Sequence, residues 1–164
     1  MKIHSLRLRQ FRNHRSQDLE WAPGFNLLLG PNGSGKTNIV DAIHVLCMSR
    51  SFVSTVDRVL PTRPEREFHL EGTFESASRS PFTLSCDYAA GEGKRFSVNH
   101  SPLDRLADLI GRVPVVVMSP EDRALTAEGP QERRAFLDQL ISQLSTGYLQ
   151  DLLRYRRIRR QRTA

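Results

Sequence analysis

The sequence predicts an α/β fold: a mixed sheet with an added antiparallel layer, one early helix entered through a glycine-rich loop, and a helical arm at the end. Three observations carry this. Several short stretches in the first 100 residues alternate apolar with polar side chains, as half-buried strands do. Two others, FNLLL at 25–29 and VPVVVM at 113–118, are continuous apolar runs, the pattern of strands buried on both faces. After residue 129 the apolar spacing becomes helical and stays so almost to the end. Candidate strands follow one another instead of alternating strictly with helices, which argues against a simple doubly wound core.

Taken in order, KIHSLRLRQF at 2–11 alternates around Leu6 and Leu8, reaches Phe11 and carries a basic outer face. SQDLEW at 16–21 is its candidate partner, and Ala22, Pro23 and Gly24 turn the chain. Residues 36–47 place Ile39, Val40, Ile43, Val45 and Leu46 at largely helical spacing, with Ala42 between. Residues 49–66 have no clear period and hold two prolines, so they read as loop with a short helix. EFHLEGTFE at 67–75 alternates as a strand, and PFTLSCDY, AAGEG and KRFSVN at 81–99 read as a hairpin around a glycine-containing turn. SPLDRLADLIG at 101–111 has the marks of a helix: Ser101 as cap, Pro102 in the first turn, Asp104 completing a capping-box-like pattern and Gly111 as the stop. Gly129 and Pro130 open a long helix whose apolar face is Phe136, Leu137, Leu140, Ile141 and Leu144. Gly147 is expected to interrupt it before Tyr148, Leu149, Leu152 and Leu153 restart the pattern. The division expected is a lobe over residues 1–120 and the start of a helical arm over 121–164.

A chain of 164 residues, 38% hydrophobic and 26% charged, fits one domain with a helical appendage. Its longest apolar runs are far short of the roughly 20 residues that span a bilayer, and residues 1–11 contain no continuous apolar signal segment; the expectation is a cytoplasmic protein. Cys47 and Cys86 have no metal-binding spacing and the five histidines are scattered, so two buried, reduced thiols and no metal cluster are expected. The net charge of +6 comes from the tail, where Arg154, Arg156, Arg157, Arg159, Arg160 and Arg162 lie within nine residues; the other 18 basic groups balance 18 acidic ones. On a helix those six arginines would surround the axis, which favours a solvated helix end over a shaped face.

The chemistry lies in Gly30, Pro31, Asn32, Gly33, Ser34, Gly35, Lys36 and Thr37, which match G-x-x-x-x-G-K-[ST]. Glycines permit the backbone turns and the close approach that let successive N–H groups face phosphate oxygens. The helix beginning at Lys36 directs its positive end at the same anion. Lys36 supplies a point charge for the β- and γ-phosphates, and Thr37 a hydroxyl for Mg²⁺. The hydrolytic half is not evident. The one candidate for the metal-holding acid is Glu121 or Asp122, which Ser119 and Pro120 separate from the apolar run; that offset is roughly 6–7 Å along an extended chain. No catalytic residue is assigned.

LRLRQFRN at 6–13, PGFNLLLGPNGSGKTNIVDAI at 23–43, RSF at 50–52, MSPED at 118–122 and GPQERRAFLD at 129–138 occur in an order and spacing that resemble the N-terminal part of the RecF family of DNA replication and repair proteins. That family belongs to the ABC-type ATPases related to SMC proteins and Rad50. The resemblance implies an ABC-type head lobe that binds ATP and Mg²⁺ through residues 30–37. It implies a weak, DNA-dependent ATPase in the complete protein and an ATP-dependent homodimer that engages single-stranded or gapped DNA. RecO and RecR act as partners there, and RecA loading is the outcome. It also places Arg12 near the nucleotide. The family's signature motif, Walker B acids and D-loop belong to a C-terminal portion not present in these 164 residues, and MSPEDRAL lacks the glutamine of a Q-loop; the expectation is a fragment. Two other readings stay open: a small stand-alone P-loop kinase, which would transfer phosphoryl groups to metabolites, and a DNA-binding fragment with a vestigial nucleotide site, whose DNA affinity would ignore ATP.

Overall fold

A computed structural model of the chain describes residues 1–76, 79–119 and 129–163. They form two compact units, Met1–Leu109 and Ile110–Ala164. In the first unit, Lys2–Phe11 (β1) and His14–Glu20 (β2) form a hairpin, and Lys36–Met48 is helix α1. Glu67–Ser76 (β3), Arg79–Ala89 (β4), Gly93–Val98 (β5) and Ser101–Pro102 (β6) complete a six-stranded sheet in the order β2-β1-β3-β4-β5-β6. Every pairing in it is antiparallel. The α/β class and the antiparallel layer match the sequence reading.

Period-2 alternation decides which side chains meet. Leu6 and Leu8 of β1, Phe68, Leu70 and Phe74 of β3, and Leu84, Cys86 and Tyr88 of β4 are all buried. Gln10 takes a φ of 54°, the alternation breaks there, and Phe11 is the residue that is buried. Its ring meets Phe68 edge-on at 5.2 Å, and Phe68 stacks on Tyr88 at 5.2 Å. Helix α1 contacts β1, β3 and β4 and buries Ile39, Ala42, Val45, Leu46 and Cys47. At Gly72 an added Cβ would stand 3.1 Å from Leu46 Cδ1 and 2.8 Å from the Phe74 ring. On the exposed side of β1, Arg7 pairs with Asp18 and Glu71, and Arg9 with Asp18. Carboxylates therefore answer both arginines of the expected basic face. The hydrogen bond from Arg9 is the main cause holding the Asp18 carboxyl below its usual range.

Both cysteines are buried free thiols, and burial pushes the Cys47 thiol up to about 12 and Cys86 upward as well. His44, also in α1, is buried; its Nδ1 donates to the Arg50 carbonyl at 2.7 Å and its ring meets Phe52 edge-on. Burial lowers its pKa below the ordinary 6.5, partly opposed by that hydrogen bond. The unfolded chain therefore binds the extra proton first, and the stabilising contribution of neutral His44 is lost as pH falls below about 6.5. Urea midpoints measured from pH 7.5 to 5 should fall with acidification, and His44→Gln should flatten that fall; an unchanged slope in the variant would show that another group is responsible.

Four local expectations are corrected. Residues 25–29 are not a strand: Phe25 is fully exposed, and Leu27 and Leu29 are 80% and 82% exposed. A strand buried on both faces needs a ladder on each edge, and no described strand pairs with this run. The Asn26 side chain instead bonds the N–H and C=O of Ala22 at 3.0 and 2.9 Å, closing a local turn. Residues 101–111 are not an α-helix. Ser101 and Pro102 pair with Val98 and Ser97 as β6, the Leu103 N–H donates to the Phe96 carbonyl, and only a 3-10 turn at Leu106–Asp108 follows. Sheet pairing thus takes up the backbone groups that the capping pattern would have used.

In the second unit, residues 113–118 are likewise not a strand. Val113 is buried, yet Val116 is 62% and Met118 90% exposed. The main-chain groups of Val115 find a partner in a side chain: its N–H donates to Gln143 Oε1 at 2.8 Å, and its carbonyl accepts from Gln143 Nε2 at 3.1 Å. Pro130–Leu144 (α2) is the expected helix, with Pro130 in its first turn. Thr146–Thr163 (α3) follows. The break between them is at Ser145, not Gly147. Ser145 is extended, and its hydroxyl accepts the Tyr148 N–H at 3.2 Å, as an N-cap does. Much of the predicted apolar face of α2, including Leu137, Ile141 and Leu144, is exposed. No described helix is long and apolar enough to cross a membrane.

Candidate functional site

The eight residues of the glycine loop lead directly into α1. Gly30, Gly33 and Gly35 have φ values of 155°, 81° and 96°, conformations that a side chain rarely adopts. Gly35 is the N-cap residue of α1; no side chain caps the helix and no acidic residue lies in its first turn. The positive end of α1 is thus open to an anion. Lys36 folds back over the loop, its Nζ donating to the Gly30 and Pro31 carbonyls at 2.8 Å each. An ammonium has three donors, so one remains. Thr37 is exposed in the first helical turn, and the Ser34 N–H donates to the Pro31 carbonyl at 3.3 Å. No group of His, Cys, Asp and Glu able to hold a metal ion occurs among the described residues.

Contacts that sequence reasoning did not assign brace the loop from behind. Asn13 Nδ2 donates to the Gly33 carbonyl at 3.4 Å, Asn38 Nδ2 donates to Asn13 Oδ1 at 2.9 Å, and His14 Nε2 lies 3.1 Å from the Gly35 carbonyl. A Cβ at position 35 would collide with both the Asn13 amide and the His14 ring. The glycine is required there by the approach of the β1–β2 hairpin as well as by its φ.

Arg12, at the end of the same hairpin, has a φ of 56°, and its N–H donates to the Leu60 carbonyl. Its side chain is only 15% exposed and pairs with the fully buried Asp41 at 3.2 Å. The same nitrogen reaches Ser51 Oγ at 3.2 Å, Ser51 donates to Asp41 Oδ2 at 2.8 Å, and the Phe52 N–H donates to Asp41 Oδ1 at 2.9 Å. Arg12 is therefore not a solvated arginine; it ties the strand end, α1 and the 50–52 segment together. The signal that could have found Asp41 is its spacing: with Val45 and Met48, it stands on the buried face of α1. Glu121 and Asp122, with the rest of residues 120–125 of the MSPEDRAL stretch, lie outside the described residues.

Residues 2–76 match the family described as the RecF/RecN/SMC N-terminal domain. Over 162 residues the chain is 47% identical to the DNA replication and repair protein RecF of Salinibacter ruber, and over 164 residues 43% identical to that of Chloroherpeton thalassium. These matches take in 99% of the chain but 39% and 44% of the two relatives. The solved structure of the recombination mediator protein RecF with ATP superposes with a TM-score of 0.89 at 33% identity, over 95% of this chain and 43% of that one. An SMC ATPase structure, at 18% identity and a TM-score of 0.67, shares the fold. Along nearly its whole length the chain is similar to the N-terminal part of RecF proteins, and it spans roughly two-fifths of the length of the relatives it matches.

Proposed function

We propose that the chain is the ATP-binding N-terminal lobe of a RecF-type DNA replication and repair protein. The whole-chain match to RecF proteins, which includes the glycine loop, carries this reading. The loop N–H groups and the start of α1 would hold the phosphates, Lys36 the β- and γ-phosphates, and Thr37 the Mg²⁺. Gly30, Pro31, Asn32, Gly33, Ser34 and Gly35 form the cradle. The open positive end of α1 and the third donor of Lys36 support the assignment. Arg12 Nε is buried with no hydrogen-bond partner among the described residues, which leaves one donor for a ligand beside the loop.

In the complete protein, residues 1–120 would serve as the nucleotide lobe and 121–164 as the start of an arm. Two such heads would dimerise on ATP, engage DNA, and work with RecO and RecR to load RecA in the cytoplasm. The test is titration of the chain with a fluorescent ATP analogue, with and without Mg²⁺, beside a phosphate-release assay. Saturable, Mg²⁺-strengthened binding with negligible turnover is expected. Rapid hydrolysis by these 164 residues alone, or transfer to small metabolites, would sink the proposal.

A further inference from the structure

The tail arginines do not surround α3 evenly in what they reach. Arg156, Arg159 and Arg160 line one side of a cleft of about 780 Å³, together with Tyr148 and Tyr155; Arg134 lines it from α2. The spacing explains the stripe. Residues 148, 152, 155, 156, 159 and 160 follow the i, i+4, i+7, i+8 rule of one helical face, and 131, 134, 135 and 138 do the same on α2. Arg154, Arg157 and Arg162 are not part of the lining. The six arginines thus separate into a shaped set and a solvated set, a division that the one-dimensional run conceals.

The cleft is electropositive. Among the described residues, four guanidiniums line the cleft with one carboxylate, Asp138, which accepts from the Tyr148 hydroxyl at 2.6 Å and from Arg156 at 3.2 Å. These bonds fix Tyr148 and Arg156 at the cleft wall. The hydrogen bond that the Tyr148 hydroxyl donates to Asp138 is also the main cause raising the Tyr148 pKa. Gln131, in the first turn of α2, also lines the cleft. Tyr155 is 60% exposed and offers a ring face at the mouth. Forked cations spaced along a groove, with exposed aromatic faces between them, suit a chain of phosphates bearing flat bases.

We propose that this cleft between α2 and α3 is a binding site for the phosphodiester backbone of a nucleic acid strand, separate from the glycine loop and independent of ATP. The proposal gives the DNA partner of the proposed function a surface, but rests on charge and shape within the helical unit. The test is fluorescence anisotropy of the 164-residue chain with a labelled 20-nucleotide single strand and the matching duplex, without nucleotide, over a series of salt concentrations. Three proteins are compared: the chain itself, Arg159→Gln with Arg160→Gln, and Arg154→Gln with Arg162→Gln, each checked for helicity by circular dichroism. The cleft pair should weaken binding at least tenfold and reduce the salt slope by roughly 1.4 to 1.8, as loss of two phosphate contacts requires. The other pair should change affinity less than threefold. Equal losses in the two pairs, no binding by the unaltered chain, or displacement of DNA by polyglutamate at equal charge concentration would each overturn the site. Lys36→Ala should leave this binding unchanged, so a failed nucleotide site and a failed cleft give different results.

Discussion

Lys36→Ala should weaken ATP binding roughly 10- to 100-fold while leaving the fold intact. The ammonium makes two hydrogen bonds to loop carbonyls and keeps one donor for a ligand. Hydrogen bonds to charged groups contribute about 1.5–3 kcal/mol each, and one such bond to a phosphate corresponds to roughly a 10- to 100-fold loss of affinity. The stability cost should be small, because the carbonyls released at Gly30 and Pro31 are exposed and take water as a partner. Substitutions of that kind usually change stability by no more than about 0.5 kcal/mol. The measurements are a fluorescent-ATP titration and a urea unfolding curve on the same variant. Unaltered affinity would remove Lys36 from the site, and a collapsed urea midpoint would make its role structural.

Asp41→Ala should act in the opposite way, through stability. Asp41 is wholly buried and answers three donors: the Arg12 guanidinium, the Ser51 hydroxyl and the Phe52 N–H. Removing one partner of a buried ion pair costs about 3–5 kcal/mol, because the remaining charge loses its compensation. Arg12 keeps some solvent contact, so a loss near 3 kcal/mol is expected. That is a large share of the roughly 5–15 kcal/mol holding a typical domain together. Asp41→Asn, which keeps an acceptor but not the charge, should be milder and remain foldable. A double-mutant cycle with Arg12→Met separates the pair from its surroundings. Arg12→Met with Asp41→Asn should be less destabilised than the sum of the single changes, by about 1–3 kcal/mol. Strict additivity would show that the two charges are not coupled.

Both predictions concern the same neighbourhood, and they differ in how legible it was. Lys36 is announced by its motif, because phosphate recognition needs particular residue types at fixed spacing on one short segment. The spacing of Asp41 on α1 marks it only as buried, and nothing local names its partners. Its partners lie 29 and 10 residues away in sequence, and only the fold brings them together. The same is true of Asn13 and His14, which reach the loop carbonyls through the turn of the β1–β2 hairpin. The antiparallel strands were readable because one of their faces is buried and the period of 2 shows. Residues 25–29 and 113–118 misled for the complementary reason. A continuous apolar run states that burial is wanted, not that a neighbouring strand is there to provide it, and none of the described strands pairs with either.

The sequence by itself determined the strand alternation, the glycine loop that enters α1 at Lys36 and Thr37, and the start of α2 at Pro130. All of these depend on residues close along the chain. Tertiary structure decided that Ser101 and Pro102 extend the sheet, because the β5 strand they pair with is itself held by β4. It also decided that Arg12 is held by Asp41, and that Arg156, Arg159 and Arg160 share a cleft with Arg134. The physical reason is common to these cases. A backbone group or charge takes the best partner the folded chain brings within reach, and that choice depends on elements far away in the sequence.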